Sequence, residues 1–482
     1  MTLFRPALLN ARYTPAMLVA LALGAAVSAQ RAASTPPATR DWPTYNMDVS
    51  RSGVSTQATG ITAANVGSLR RRQITIDGIV DASAIYLDAV TVNGAAHDTI
   101  FVTTSYGRTM AIDAASGTTL WQHTPTGYDS WAGSRQITNS VPVADPGRQF
   151  IYAASPGGHI EKLAVSDGHS VWSTSITKLP AREKIASPLT EFRGRIIAVT
   201  AGYIGDAPPY QGHVSILDAA TGAIQSTWNS LCSDRHELLD PPGCPQAQSA
   251  IWSRGGAVID PATGNIFVVT GNGPWDGKTS WGDSVIELDP TATRMLGNWT
   301  PENNEALSRA DMDLGTISTA LLGGGLIVQG GKDGILRVLS ERTIAGTDPH
   351  RGGELQVVPV RPGGRQRVST APVVMHVGAV TWLIATDTVG TSAFRLRDGK
   401  LEAAWSNTTP GTSPVVAGGL LFTYDPAGSL HVFEPETGRE VATLACGRGH
   451  WNSPIVVDGR IILPEGNANT PGASVINVWD AP

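Results

Sequence analysis

Short apolar runs alternate with tight polar turns along almost the whole of this chain. "MAIDAASGTTLW" (Met110 to Trp121) is an apolar strand, an Asp/Gly turn and a second strand ending in Trp. The pattern returns as "LAVSDGHSVW" (Leu163 to Trp172), "SILDAATGAIQSTW" (Ser215 to Trp228), "IELDPTATRMLGNW" (Ile286 to Trp299) and "RVLSERTIAG" (Arg337 to Gly346). It closes with "FRLRDGKLEAAW" (Phe394 to Trp405), "HVFEPETGREVATL" (His431 to Leu444) and "VINVWDAP" (Val475 to Pro482). Apolar positions at period two mark strands, and the Asp/Gly clusters between them mark hairpin turns. A second pattern precedes each copy: a small hydroxylated residue near Pro or Ala, then an apolar strand. It reads "NSVPVAD" from Asn139, "ASPLTEF" from Ala186, "STAPVVM" from Ser369, "TSPVVAGG" from Thr412 and "NSPIVVDGR" from Asn452. With the turn and strand that follow, there are about four strands per unit and about eight units. This predicts an all-β protein, an eight-bladed β-propeller of four-stranded blades.

The last unit lacks its final strand. "LRRRQITID" (Leu69 to Asp77) stands ahead of the first unit, Asp81 to Gln122, with no partner of its own. Pairing this N-terminal strand with the C-terminal blade closes the ring and leaves no free sheet edge. A pair of separate β-domains is the alternative, but no polar linker interrupts the repeat.

Composition narrows the partners. The 482 residues include 53 Gly and 32 Pro, only 16% are charged, and the net charge is -6. Helices should be few, and no basic footprint for nucleic acid or anionic lipid is present. At the N-terminus, Arg5 and Arg12 precede the apolar run Ala16 to Ala29, with a small-residue cleavage site at Val27-Ser28-Ala29. This reads as a signal peptide over 1–29, a flexible leader over 30–40 and a single propeller domain over 41–482. The apolar run is shorter than the ~20 residues a spanning helix needs, so no membrane span is expected after signal removal. The protein is expected to be periplasmic or secreted. In such an oxidising compartment Cys232 and Cys244, within "LCSDRHELLDPPGC", could form a disulfide, leaving Cys446 over. No CxxC, CxxCH or HExxH occurs, which argues against covalently attached haem and the common zinc sites.

In a propeller, residues just ahead of the innermost strands converge on a central funnel. Arg135, Lys184, Arg254, Asp311, Asp313, Arg367, His450 and Asn452 hold such positions. A water-filled channel lined with salt bridges is the plain structural reading of them.

The leader "DWPTYNMDVSRSGVS" (Asp41 to Ser55) and the turns "DAASGTTLW" and "DAATG" resemble the pyrroloquinoline quinone (PQQ) propeller family. That family's ring serves both quinoprotein dehydrogenases and non-catalytic scaffolds. The resemblance implies a set of site residues. "DMDLG" (Asp311 to Gly315) is similar to an Asp-x-Asp element in which the first Asp is the base that takes the substrate hydroxyl proton. The second is the additional ligand of lanthanide-using members. On a regular strand, positions i and i+2 would face one side together; the structural alternative is an Asx turn. "TGNGPWDG" (Thr270 to Gly277) maps a metal-binding amide oxygen onto Asn272, whereas Asn-Gly by itself signals a type I′ hairpin turn. Lys332 in "VQGGKDGILRVLS" takes the place of the residue that contacts the quinone oxygens. As a turn residue it would instead be exposed beside Asp333. Asp206 stands for the family's metal-binding Glu, in an uncertain register. Arg108 would be a carboxylate clamp and Trp252 an aromatic floor for a flat ligand, though each Trp also suits blade packing. The chain departs from the family at "GSRQITNSV" (Gly133 to Val141), where many members carry an adjacent cysteine pair.

Two functions follow. One is a dehydrogenase oxidising an alcohol or sugar with PQQ and a Ca²⁺ or lanthanide ion, without haem, and passing electrons to a separate acceptor. The other is a non-catalytic propeller that binds a protein or glycan.

Overall fold

The structure is a computed structural model that describes residues 40–361, 367–470 and 474–481. The expected signal peptide and all of the leader but Arg40 lie outside the described residues. The remainder forms eight antiparallel four-stranded blades of a propeller, the seventh joined by the short parallel strand Val54–Ser55 as a fifth. Blade 1 comprises Ile85–Val92, Ala95–Thr103, Thr109–Asp113 and Thr119–His123. Blade 8 comprises Ile455–Val457, Arg460–Glu465 and Ser474–Asp480, completed by Arg70–Ile76. This completing strand runs antiparallel to the C-terminal one, from Arg70↔Asp480 to Ile76↔Ser474, and buries Ile74 and Ile76. The ring closes as the unpaired N-terminal strand required. No helix among the described residues is long and apolar enough to cross a membrane.

The repeat signature has a packing reason. In "DAASG", the Asp113 carboxylate accepts the backbone N–H groups of Ala115 (3.1 Å) and Ser116 (2.6 Å), which fixes the turn. The Trp that ends one blade packs on the turn of the next: Trp121 donates its indole N–H to the Val165 carbonyl (2.9 Å). A Cβ at Gly168 would lie 2.5 Å from the Trp121 ring, and the glycine also has φ +76°. Trp405 meets Gly438 in the same way. The Asp holds the turn, and the Gly makes room for the neighbouring Trp. Blade 5 breaks the pattern. After its third strand, Ile335–Ser340, a short helix Glu341–Ile344 intervenes before the fourth, Gln356–Pro359. "RVLSERTIAG" is therefore strand then helix, and not the hairpin its alignment with the other copies suggests.

The segment Asp41 to Ser55 has a structural role. Its backbone bonds the first strands of blade 1 (Trp42 with Tyr86), blade 2 (Pro43 with Ala144) and blade 4 (Val49 with Ile259). It also bonds those of blade 6 (Ser52 with Val374) and blade 7 (Gly53 with Val416). Blades 2 and 6 face each other across a ring of eight, so the segment crosses the axis. Arg51 is buried within it. The guanidinium donates to the carbonyls of Gly255, Tyr45 and Leu189 and to the hydroxyls of Thr44 and Thr190, so it ties blades 3 and 4 to the plug. Cys232 and Cys244 are disulfide-bonded, with Cα atoms 6.2 Å apart, in the loop after blade 3.

Candidate functional site

The loops ahead of the first strands, and those between second and third strands, enclose a central cavity of about 1550 Å³. Asp206, Trp252, Asn272, Asp311, Asp313 and Lys332 all line it, although they come from blades 3 to 5. Asn272 follows the second strand of blade 4, Ile266–Val269, but the chain does not reverse there. Neither Asn272 nor Gly273 has the positive φ that a type I′ turn needs. Reversal comes later, where Asp276 caps the N–H groups of Lys278, Thr279 and Ser280. The Asn-Gly pair is thus freed from turn duty.

What holds Asn272 is the neighbouring loop. Its backbone N–H donates to Asp313 Oδ1 (2.8 Å), and its Nδ2 donates to Asp311 Oδ1 (3.1 Å). With the amide nitrogen committed to a carboxylate, the Asn272 Oδ1 points elsewhere; it is buried and has no hydrogen-bond partner among the described residues. Buried acceptors are normally satisfied, so this one is open for a ligand. The close approach needs glycine: a Cβ at Gly271 would stand 2.4 Å from Asp313 Oδ1.

Asp311 and Asp313 do converge, but not on a strand. The helix Asn304–Arg309 ends immediately before them, and Asp311 takes the left-handed conformation (φ 54°) common after helix C-termini. Asp313 then leads into the 3-10 turn Leu314–Thr316. The Asp311 side chain is 66% exposed, whereas that of Asp313 is 10% exposed. Lys332 joins them: its ammonium bonds Asp311 Oδ1 (3.1 Å) and Asp313 Oδ2, and its backbone N–H donates to the Asp313 carbonyl (3.0 Å). The same ammonium lies 5.4 Å from the centre of the Trp252 ring. Lys332 is buried rather than an exposed turn residue, and Asp333 pairs with Arg337 instead.

The side chain of Asp206, also with positive φ (45°), accepts only the Tyr210 hydroxyl (3.3 Å) among the described residues. Burial, followed by the charges of Asp313 and Asp311, raises its pKa. Arg108 is not brought to this wall. It pairs with Asp77, stacks 4.7 Å over Tyr128 and does not line the cavity. Arg135 and Asn452 are likewise absent from the lining. Asn452 is spent on the carbonyls of Val80 and Ala82.

Sequence reading missed Asp283. This carboxylate is fully buried, accepts the Leu314 N–H (2.9 Å) on Oδ1, and has an unpartnered Oδ2. Burial pushes its pKa up to about 8. "WGDSV" gives no local sign of this, because the partner comes from another loop.

A family model described as "Outer membrane protein assembly factor BamB" matches residues 62–237. A quinohemoprotein alcohol dehydrogenase of Comamonas testosteroni is 25% identical over 342 residues, 64% of this chain and 45% of the relative. A polyvinylalcohol dehydrogenase of a Pseudomonas species is 24% identical over 223 residues, 43% of this chain and 34% of that protein. The chain therefore spans less than half the length of these curated relatives. The crystal structure of quinohemoprotein alcohol dehydrogenase from C. testosteroni superposes with a TM-score of 0.65 over 91% of this chain and 80% of that one, at 18% identity. Europium-containing methanol dehydrogenase gives 0.63 over 91% and 98%, at 15% identity. At such identities the structural likeness shows the fold alone. The Asp/Gly–Trp repeat and the closed eight-bladed ring give this chain the same propeller architecture as those quinoprotein structures, and over residues 62–237 it matches the assembly-factor family model.

Proposed function

We propose that this protein is an exported quinoprotein dehydrogenase that oxidises an alcohol or sugar hydroxyl with PQQ and a Ca²⁺ or lanthanide ion. The observation that carries this reading is the buried, unpartnered Asn272 Oδ1 beside Asp311 and Asp313 in a ligand-sized cavity. A neutral amide oxygen with several carboxylates is a donor set suited to a hard cation. Asn272, Asp206 and Asp311 would hold the metal, with Asp313 assisting. When bound, the quinone supplies the acceptor for a hydride from the carbinol carbon.

The chain's own residues do the rest. Asp311 presents an exposed carboxylate that takes the hydroxyl proton as general base. Asp313, fixed by Asn272 and Lys332, keeps the loop in place. Lys332 would hold the quinone oxygens, and Trp252 would provide a flat apolar face. Electrons then pass to a separate acceptor.

A second reading is a non-catalytic scaffold for a protein or glycan. It is favoured by the match to the assembly-factor family model, and by an ammonium that already partly neutralises Asp311 and Asp313. Titration with PQQ plus Ca²⁺ or La³⁺, followed by dye reduction with alcohols and sugars, separates the two. The dehydrogenase requires metal-dependent quinone binding that Asn272→Ala and Asp311→Ala remove. Absence of such binding in the wild type, or its persistence in both variants, selects the scaffold.

A further inference from the structure

A second polar cluster lines the same cavity, and its charges do not balance. Lys184 lies in a two-residue strand, Glu183–Lys184, paired with Ala201–Gly202 ahead of blade 3. Its side chain is buried and lines the cavity, and among the described residues its ammonium has neither a hydrogen bond nor an ion pair. Arg254, ahead of blade 4, is also buried. One Arg254 nitrogen donates to the Ala186 carbonyl (2.8 Å), the guanidinium stacks 4.6 Å over Trp451, and the buried Nε has no partner. Burial, and then the charge of Arg254, disfavour the Lys184 ammonium.

The carboxylate felt by both cations is Asp81. It is already occupied, accepting His450 Nδ1 (2.9 Å) and the N–H groups of Trp451 (3.1 Å) and Ala468 (3.1 Å). None of the residues outside the description is Asp or Glu. A buried ion without a counter-ion is costly, and an anion that fills the gap is bound correspondingly well.

We infer that Lys184 and Arg254 form an anion-binding pole of the funnel, which takes a carboxylate group of the small molecule that occupies the cavity. Arg254 offers a planar fork suited to two carboxylate oxygens, Lys184 a point charge, and Trp451 an aromatic face beside them. The pole rests on the local want of a partner for the Lys184 ammonium and the Arg254 Nε among the described residues, and is independent of the metal site on the other group of aspartates. The carboxylate can belong to a cofactor or to a substrate.

Calorimetric titration of the full chain with citrate, without quinone or metal, tests it. Wild type should bind citrate, Lys184→Met and Arg254→Met should each weaken binding at least tenfold, and Asp458→Asn, outside the cavity, should leave it unchanged. Citrate should also raise the melting temperature of wild type but not of Lys184→Met, a variant that loses only an uncompensated charge and so should fold. Two arms identify the source of the carboxylate. If the quinone supplies it, PQQ should bind at least tenfold better than its trimethyl ester, and Lys184→Met should abolish the difference. If a substrate supplies it, hydroxy acids should displace citrate and neutral alcohols should not. No citrate binding by wild type, binding unchanged in both Lys184→Met and Arg254→Met, or binding of inorganic phosphate in place of citrate overturns the inference.

Discussion

Two groups of aspartates in this ring invite comparison. On the outside, oxygens of Asp88, Asp98 and Asp458 lie within 4.8 Å of one another, the tighter acidic cluster of the two. Yet each acid there has a cationic partner: Arg40 reaches Asp88 (2.8 Å) and Asp458, and Arg460 reaches Asp98 (3.3 Å) and Asp458 (2.8 Å). In the funnel, among the described residues, Asp311 and Asp313 share one ammonium, Asp206 has only a tyrosine hydroxyl, and an amide oxygen beside them is unsatisfied. Proximity of carboxylates alone therefore ranks first the cluster whose charges are already met. Unmet partners inside a cavity are the better guide.

The largest expected effect is on turnover. Asp311→Asn should lower dye-coupled alcohol or sugar oxidation by at least about 100-fold, the range of a general base, while Asp458→Asn leaves the rate unchanged. Equal losses in both variants, measured at saturating quinone and metal, would erase the distinction. Next comes metal affinity. Asn272→Ala should weaken calcium or lanthanum binding on the order of ten- to a hundredfold by calorimetry, the scale on which supporting contacts act, and the outer cluster should add no second site.

The third effect is on stability against pH. Burial, then the charge of Arg254, lowers the Lys184 pKa to about 8 from its ordinary 10.5, with Asp81 opposing. Between these values the unfolded chain holds more protons, so wild-type stability rises with pH across that window. Below about pH 8 the penalty of the buried ammonium is fully present. Lys184→Met should therefore be more stable than wild type by a few kcal/mol, roughly, at neutral pH, and the gap should close towards pH 10.5 in denaturant melts. A gap that is flat with pH would remove the uncompensated charge from the account. The smallest effect is at the outer cluster: Asp458→Asn should change stability by about 1 kcal/mol, because Arg40 keeps Asp88 and Arg460 keeps Asp98.

The ring was legible because each unit writes its turn and the Trp that packs on the next unit within a dozen or so residues, as Asp113, Gly117 and Trp121 illustrate. The strand that closes it was legible as a strand without a mate. Asn272, Asp311 and Lys332 could be named through family resemblance, and the structure draws them to one wall. Their local geometry could not be read. A period-two argument put Asp311 and Asp313 on a strand, whereas the preceding helix forces a left-handed exit. Asp81, Asp283 and the unpaired state of Lys184 were hidden for one reason: each depends on loops from other blades, and sequence spacing carries no record of those approaches. Arg108 sits two residues after Tyr106 in a turn resembling the others, but Asp77 and Tyr128 capture it first.

The segment that crosses the axis has a kinetic consequence. Residues 41–55 stopper the channel beneath the funnel, bonding strands on opposite sides of the ring. A vessel with one door cannot be loaded from behind. For a reaction of the proposed kind, the oxidised product must depart before a bulky electron acceptor can come near, so reductant and oxidant would take turns. Initial-rate plots at several fixed acceptor concentrations would then run parallel, the signature of a double-displacement cycle.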